Sequence, residues 1–399
     1  MIIKCPNCNG AITYDPALAD LMCQFCGSIF LTKDFTVPEE AAAKEESDGE
    51  LEDDVEMMEC EVYHCTSCAA QLIINDVESA TFCAYCGQPT VVFDRVAKQR
   101  KPDFILPFSV SKKEALAIIR KHLSKGAYIP QEIKDFRVDT LRGIYVPFWL
   151  FDIYCHDNQY LTGEIGSGNN ARTYLYYREV EHTFKKITVD ASRTLNDESS
   201  VRLEPYDMKD LKSFSAGYLS GFYADCSDEF MEVMEFTAVE RAKKMFNQEI
   251  RETIPAHSIK VKSSAFIHEL TGKYYALLPA WFLVFWYKER PYTIMVNGQT
   301  GKMVGAVPVE KKKVHRDLCI LSTGLSVLLT VLFWYLLEAV MNADGFEEEI
   351  SQIIGIIFTE AVISVCAAFK SLAAYKKSQQ LTEATEIKSY VSDRQGGRK

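Results

Sequence analysis

The chain has 399 residues, 48% of them hydrophobic and 25% charged, enough for two or three domains and a sizeable core. Its formal net charge of -11, from 44 Lys and Arg against 55 Asp and Glu, argues against a surface built to wrap nucleic acid, whose binding rests on bases neutralising phosphates. Of the 13 cysteines, eight fall in two regular blocks. Cys60, Cys155, Cys226, Cys319 and Cys366 are scattered, which is not the pattern of a secreted disulfide framework.

Residues 1–35 read as a first zinc ribbon. Cys5-Pro6-Asn7-Cys8 is followed, after fourteen residues, by Cys23-Gln24-Phe25-Cys26-Gly27. The block returns sixty residues later as Cys65-Thr66-Ser67-Cys68, fourteen residues, and Cys83-Ala84-Tyr85-Cys86-Gly87, a second ribbon over residues 61–93. Two residues between cysteines let one tight turn aim both sulfurs at a single ion. Gly27 and Gly87 stand where such a knuckle favours positive φ. Cys5, Cys8, Cys23 and Cys26 are the ligands of one predicted structural Zn2+ site, and Cys65, Cys68, Cys83 and Cys86 of a second. Four thiolates close a tetrahedral shell and leave no open position for substrate. Such ligands need a reducing compartment, and the four residues ahead of Cys5 leave no room for a signal peptide; the ribbons are expected on the cytoplasmic side. Ala11–Tyr14 and Ile29–Leu31 are expected as short strands. Cys60 and His64 precede Cys65 but read as bystanders, because the repeat already supplies four sulfurs.

Between the ribbons lies an acidic linker, residues 36–60. Pro38 to Glu59 holds eleven acids and one base, Lys44, the composition of a solvated tether.

Residues 101–310 read as an α+β domain. Ser111-Lys112-Lys113-Glu114 is a capping box, and Leu116, Ile119 and Leu123 continue it at helical spacing, to an end near Lys125-Gly126. A second helix is expected over Asp228 to about Thr253, with Phe230, Val233, Met234, Ala238, Ala242 and Phe246 as its stripe. A weaker repeat aligns Val146-Pro147-Phe148-Trp149-Leu150 with Leu278-Pro279-Ala280-Trp281-Phe282. Each copy is expected to be an apolar strand, a polar turn and a returning strand, the turns being His156–Gln159 and Lys288–Pro291. Asn297-Gly298 and Thr300-Gly301 mark a further turn.

Residues 318–372 read as a two-helix transmembrane hairpin. Leu318–Leu337 and Ile350–Phe369 are apolar stretches of twenty residues, the length that crosses about 30 Å of hydrocarbon. Lys311, Lys312, Lys313 and Arg316 precede them, and Lys370, Lys376 and Lys377 follow. This charge bias predicts a multi-pass cell-membrane protein with both termini cytoplasmic, including a tail over residues 376–399. Glu360 is the ionisable residue inside the second span, to be satisfied within the hairpin (Ser326 and Thr330 lie at comparable depth) or by a partner's membrane helix.

No catalytic motif emerges. Gly298–Met303 lacks the glycine spacing of a phosphate loop, and His268-Glu269 has no second His at zinc-protease spacing. The chain reads as a non-enzyme.

The ribbon pair, the segments Tyr145–Asp152 and Val296–Gly305, and the two C-terminal stretches together resemble a bacterial family of membrane-anchored double zinc-ribbon proteins. Its members are often labelled as transcription-factor-type zinc ribbon or primosomal helicase-like proteins. Some are associated with SPFH and phage-shock-protein A type proteins in envelope stress. The resemblance implies a membrane-bound adaptor with the eight ribbon cysteines as ligands, protein partners and a lipid bilayer. The alternative is a nucleic-acid-binding ribbon protein of membrane-associated replication or transcription, and a third reading is a membrane-complex subunit whose α+β domain binds a small ligand.

Overall fold

The computed structural model describes residues 3–32, 56–74, 83–89, 91–125, 128–136, 140–192, 201–227, 231–288 and 290–305, together with 307–308, 310, 312–314, 316, 320, 324, 329–335 and 338.

Ribbon 1 is a small antiparallel sheet of β1 (Ile12–Asp15), β2 (Asp20–Cys23) and β3 (Ile29–Phe30). All later strands join one twelve-stranded sheet. Ribbon 2 contributes β4 (Met57–Cys65) and β5 (Gln71–Ile74), and β6 (Val91–Arg100) pairs along β4. The chain then runs through β7 (Phe104–Ile105), α1 (Lys112–Lys125), α2 (Gln131–Lys134), β8 (Leu141–Ile165) and β9 (Arg172–Asp190). It continues through β10 (Lys212–Ser213), β11 (Tyr223–Asp225), α3 (Met231–Glu252), β12 (His257–Ser264), β13 (Ile267–Tyr287), β14 (Arg290–Asn297) and β15 (Met303–Gly305).

The α+β expectation with appended ribbons is corrected here: the described fold is mostly sheet. Three long strands make it so, with β8 at 25 residues, β9 at 19 and β13 at 21. From Gly143 to Phe151 every residue of β8 is buried, as expected of a strand covered on both faces. Beyond Asp152 it alternates, with Ile153, Cys155, Asp157, Gln159 and Leu161 turned inward. The expected turn at His156–Gln159 does not form. Asp157 and Gln159 are instead buried and bonded: Gln159 Nε2 donates to Asp157 (2.6 Å) and to Asn247 of α3 (2.7 Å). The Ser264 hydroxyl and Ala265 N–H both donate to Asp157 at 2.7 Å. Turn-forming residue types have been used here as a buried polar network, whose bonds to Asp157 and from Gln159 Nε2 let the strand continue.

α1 is capped as the Ser111–Glu114 box requires, with Ser111 N donating to Glu114 at 2.8 Å and Glu114 N to Ser111 Oγ at 3.3 Å. α3 buries Met234, Ala238, Ala242, Phe246 and Ile250, one residue per turn on a single face. Val233 stays exposed.

The two halves of the sheet are related by an internal two-fold. The offset that aligns the Pro-x-Trp segments, 278 minus 146, or 132 residues, places Val146 on Leu278, and these residues face each other across the antiparallel β8–β13 pair. The positions that the parallel neighbours face on β8 and β13 keep the same offset. β7 sets Phe104 and Ile105 opposite Ala276 and Leu277, while β11 sets Tyr223 and Ala224 opposite Ile144 and Tyr145. The accepting prolines of the next bonds keep it too: Ala191 N donates to the Pro147 carbonyl at 3.0 Å and Gly298 N to the Pro279 carbonyl at 2.9 Å. Asp190 and Asn297 occupy equivalent places, and each accepts from the N–H two residues on. Each half is a short strand, a helix, a long strand and a returning strand.

The expectation of two membrane-crossing helices is also corrected. No helix among the described residues is long and apolar enough to cross a membrane. In the first stretch the described residues are 320, 324 and 329–335, and all are helical. The second stretch, with Glu360, lies outside the described residues, as do residues 376–399. The multi-pass localisation built on those spans is withdrawn with them.

Candidate metal centres

Both clusters are assembled from one local motif used four times. In each knuckle the leading cysteine's N–H donates to the carbonyl five residues on: Cys5 to Gly10, Cys23 to Ser28, Cys65 to Ala70 and Cys83 to Gln88. Its own carbonyl accepts from the N–H four residues on: Asn9, Gly27, Ala69 and Gly87. All four of those closing residues have positive φ, at 61, 72, 60 and 70°. The turn needs the left-handed region, which glycine reaches without cost and Ala or Asn reach at a penalty.

These knuckles bring together the eight cysteines singled out from the sequence. In cluster 1 the Sγ atoms of Cys5 and Cys26 lie 3.6 Å apart, and those of Cys8 and Cys23 3.4 Å. In cluster 2 the Cys65–Cys86 and Cys68–Cys83 separations are both 3.6 Å. All four sulfurs of each cluster lie within 4.8 Å of one another. Metal–sulfur bonds of about 2.3 Å in a tetrahedron give edges of about 3.8 Å, so both shells fit an ion at their centre. Among the described residues every cysteine is free of disulfides, and these are two four-cysteine clusters compatible with a metal. The bystanders stay outside. Cys60 donates to the Ala97 carbonyl at 3.5 Å, burial pushing its thiol up to about 11, and His64 lies 4.0 Å from Asp94.

The clusters sit in different surroundings. In cluster 1, Cys5 and Cys23 are buried but Cys8 and Cys26 are exposed. Phe25, at the tip of its second knuckle, is 80% exposed. The Ser28 hydroxyl and its backbone N–H hold the Cys26 thiol down to about 6. In cluster 2, Cys65, Cys83 and Cys86 are buried and Cys68 half-buried. Tyr85, the counterpart of Phe25, is only 4% exposed. Its ring meets Phe282 edge-on at 5.3 Å, and its hydroxyl donates to Asp225 at 2.6 Å. The Ser192 hydroxyl and the Cys226 N–H bond the same buried carboxylate.

Tyr85, Ser192 and Asp225 went unnoticed in the sequence. The signal was the internal position of Tyr85 in a knuckle, yet Phe25 at the matching position points outward, so residue type could not distinguish them.

Ribbon 2 is continuous with the body of the protein, because β5 pairs with β11 and β11 pairs with β8. Ribbon 1 docks beside it. Tyr14 N donates to the Ser220 carbonyl at 3.0 Å, and the Ser215 hydroxyl to the Thr32 carbonyl at 3.1 Å. Tyr14 packs on Tyr218 (5.3 Å) and Phe222 (6.4 Å), and Phe222 stacks at 4.2 Å on Phe108 in the core.

Other segments noted in the sequence are structural. The Asn297–Gly301 turn is held by the buried Asn297 side chain, which accepts from Gln299 N and Thr300 N at 2.9 Å and donates to the Leu203 carbonyl at 3.0 Å. His268 lies within β13 and stacks near Phe266 at 5.9 Å.

No family model matches the chain, and no solved structure matches it. A curated protein of Bacillus subtilis (strain 168), described as "Uncharacterized protein YdjG", is 30% identical over 322 residues, spanning 78% of this chain and 91% of its own length. The chain belongs to the YdjG family. That membership is carried by the identity and the length of the match. The finer assignment to a membrane-anchored zinc-ribbon family finds no matching family model.

Proposed function

We propose that this YdjG-family chain is a zinc-stabilised adaptor that recruits protein partners, with no reaction of its own. The observation that carries the reading is the closure of both metal centres: each offers four thiolates in tetrahedral proximity and nothing else. A shell of that kind contributes folding free energy and leaves no position for a reacting water or substrate. Soft thiolates in a tetrahedral set suit zinc, with iron as the competing fit. The exposed tip of ribbon 1, with Phe25 at 80% and Ile29 at 57%, supplies an apolar contact of the kind that anchors protein interfaces. SPFH and phage-shock-protein A type proteins are the first partners to try.

The test is a binding measurement between the purified full chain and a purified SPFH or phage-shock-protein A type protein from the same cell. Phe25→Asp should weaken binding at least about tenfold, the effect of removing one buried aromatic anchor, while the metal content stays unchanged. Salt-dependent binding of duplex DNA, with no protein partner bound, would instead favour the nucleic-acid reading.

A further inference from the structure

We infer that cluster 1 is the exchangeable, oxidant-sensitive metal site of the chain, and cluster 2 its permanent one. The inference rests on the zinc reading and deepens it. The two clusters share ligands, spacing, knuckle geometry and sulfur separations, so their intrinsic chemistry is closely matched. They differ in access. Attack on a metal-bound thiolate requires the reagent to reach sulfur. Two sulfurs of cluster 1 belong to exposed residues, whereas no ligand residue of cluster 2 is exposed.

Their supports differ as well. The Cys83–Gly87 knuckle is held by the Tyr85–Asp225 bond and by packing on Phe282. Val284 and Trp286 also lie beside Gly87, where an added Cβ would meet Val284 at 3.3 Å. The Cys23–Gly27 knuckle has no such backing among the described residues: around Gly27 an added Cβ would meet nothing within 4 Å. Opening cluster 2 therefore disrupts β4, β5 and the pairing of β5 with β11, while opening cluster 1 disturbs ribbon 1 and its dock on Ser215–Phe222.

With hydrogen peroxide as the oxidant, the balanced step is four thiolates plus two peroxides plus four protons giving two disulfides and four waters, with the zinc ion released. Attack begins at Cys8 or Cys26. A peroxide oxygen is transferred to sulfur, giving a sulfenic acid, and a neighbouring thiolate displaces water from it. Cys8 with Cys23 and Cys5 with Cys26 are already 3.4 and 3.6 Å apart. Once the metal leaves, ribbon 1 loses the closure that orders it, and the Tyr218 and Phe222 rings lose Tyr14 as their cover.

The experiment uses the purified full chain. Zinc per chain is first measured by mass spectrometry. Peroxide is then added in the presence of a chromogenic zinc chelator, and the cysteines oxidised at each time are mapped after alkylation. The expected result is one zinc equivalent released at least about tenfold faster than the other, a ratio set by thiolate access, with early disulfides confined to Cys5, Cys8, Cys23 and Cys26. Release of both equivalents in one phase, or early oxidation of Cys65 or Cys83, overturns the inference and leaves the zinc reading intact. Fewer than two equivalents before any oxidant removes the zinc reading, and the inference falls with it. The mapping needs no variant, so a folding defect cannot confound it.

Discussion

Gly27 and Gly87 close equivalent knuckles with φ of +72 and +70°, yet what surrounds them differs. Replacing Gly27 with Ala adds a methyl to open space, so its cost is conformational alone, about 1–2 kcal/mol for an L-residue in the left-handed region. Replacing Gly87 with Ala incurs the same cost and sets the new Cβ 3.3 Å from Val284 Cγ1. That contact adds up to about 1 kcal/mol as β13 yields. Because metal binding and ribbon folding are one equilibrium, the losses appear as weakened zinc affinity, tenfold for every 1.4 kcal/mol. Competition with a chelator of known affinity should show Gly27→Ala weakening one site about 5- to 30-fold and sparing the other. Gly87→Ala should weaken the second site more strongly. Ala69, left-handed at φ 60°, supplies the opposite perturbation: Ala69→Gly should tighten cluster 2. Loss of affinity in Ala69→Gly, or equal effects of Gly27→Ala on both sites, would refute the claim that knuckle conformation sets these costs.

Tyr85→Phe removes a hydroxyl from the buried Asp225 carboxylate and should destabilise the chain by about 1–3 kcal/mol in urea unfolding, with both metals retained. Phe246→Ala empties a fully buried site between α3 and Phe184 and should cost about 3–5 kcal/mol by the same assay. Replacing Cys65 and Cys68 together by Ser should abolish cooperative unfolding of the sheet, because β4 and β5 extend it. The same change at Cys5 and Cys8 should lower metal content by one and leave a cooperative transition. Burial raises the Glu204 carboxyl above its ordinary value, despite the Thr188 hydroxyl and Arg241 beside it. The folded chain therefore holds that proton more tightly. The stability it contributes is present below the ordinary carboxylate value and is lost as pH rises through the raised one. Glu204→Gln should flatten that part of the stability–pH profile.

The two four-cysteine clusters were legible in the sequence because CxxC spacing is itself the geometry: a two-residue gap fixes where both sulfurs point. The α1 start was legible for the same reason, since Ser111 and Glu114 satisfy each other locally. What spacing could not carry was the environment of a side chain fixed by distant strands. Phe25 and Tyr85 hold one position in a repeated motif, yet one faces outward and the other bonds Asp225, 140 residues away. Asp157 and Gln159 looked like turn residues because their partners, Ser264 and Asn247, lie about a hundred residues downstream. The 132-residue offset was visible, but its meaning needed the register: that Val146 and Leu278 pair with each other makes it an axis. Hydropathy pointed to membrane spans at Leu318–Leu337 and Ile350–Phe369 because it weighs composition alone. Among the described residues no helix is long and apolar enough to cross a membrane.

Two closed four-thiolate zinc centres are at the heart of this reading, one in ribbon 1 and one continuous with the large sheet. Metal analysis of the purified full chain, paired with native-state alkylation, tests it most directly. The account predicts two zinc equivalents per chain, with Cys65, Cys83 and Cys86 protected until a chelator is added. Zinc below two equivalents, or all eight ribbon cysteines alkylated at the rate of free thiols, would contradict it.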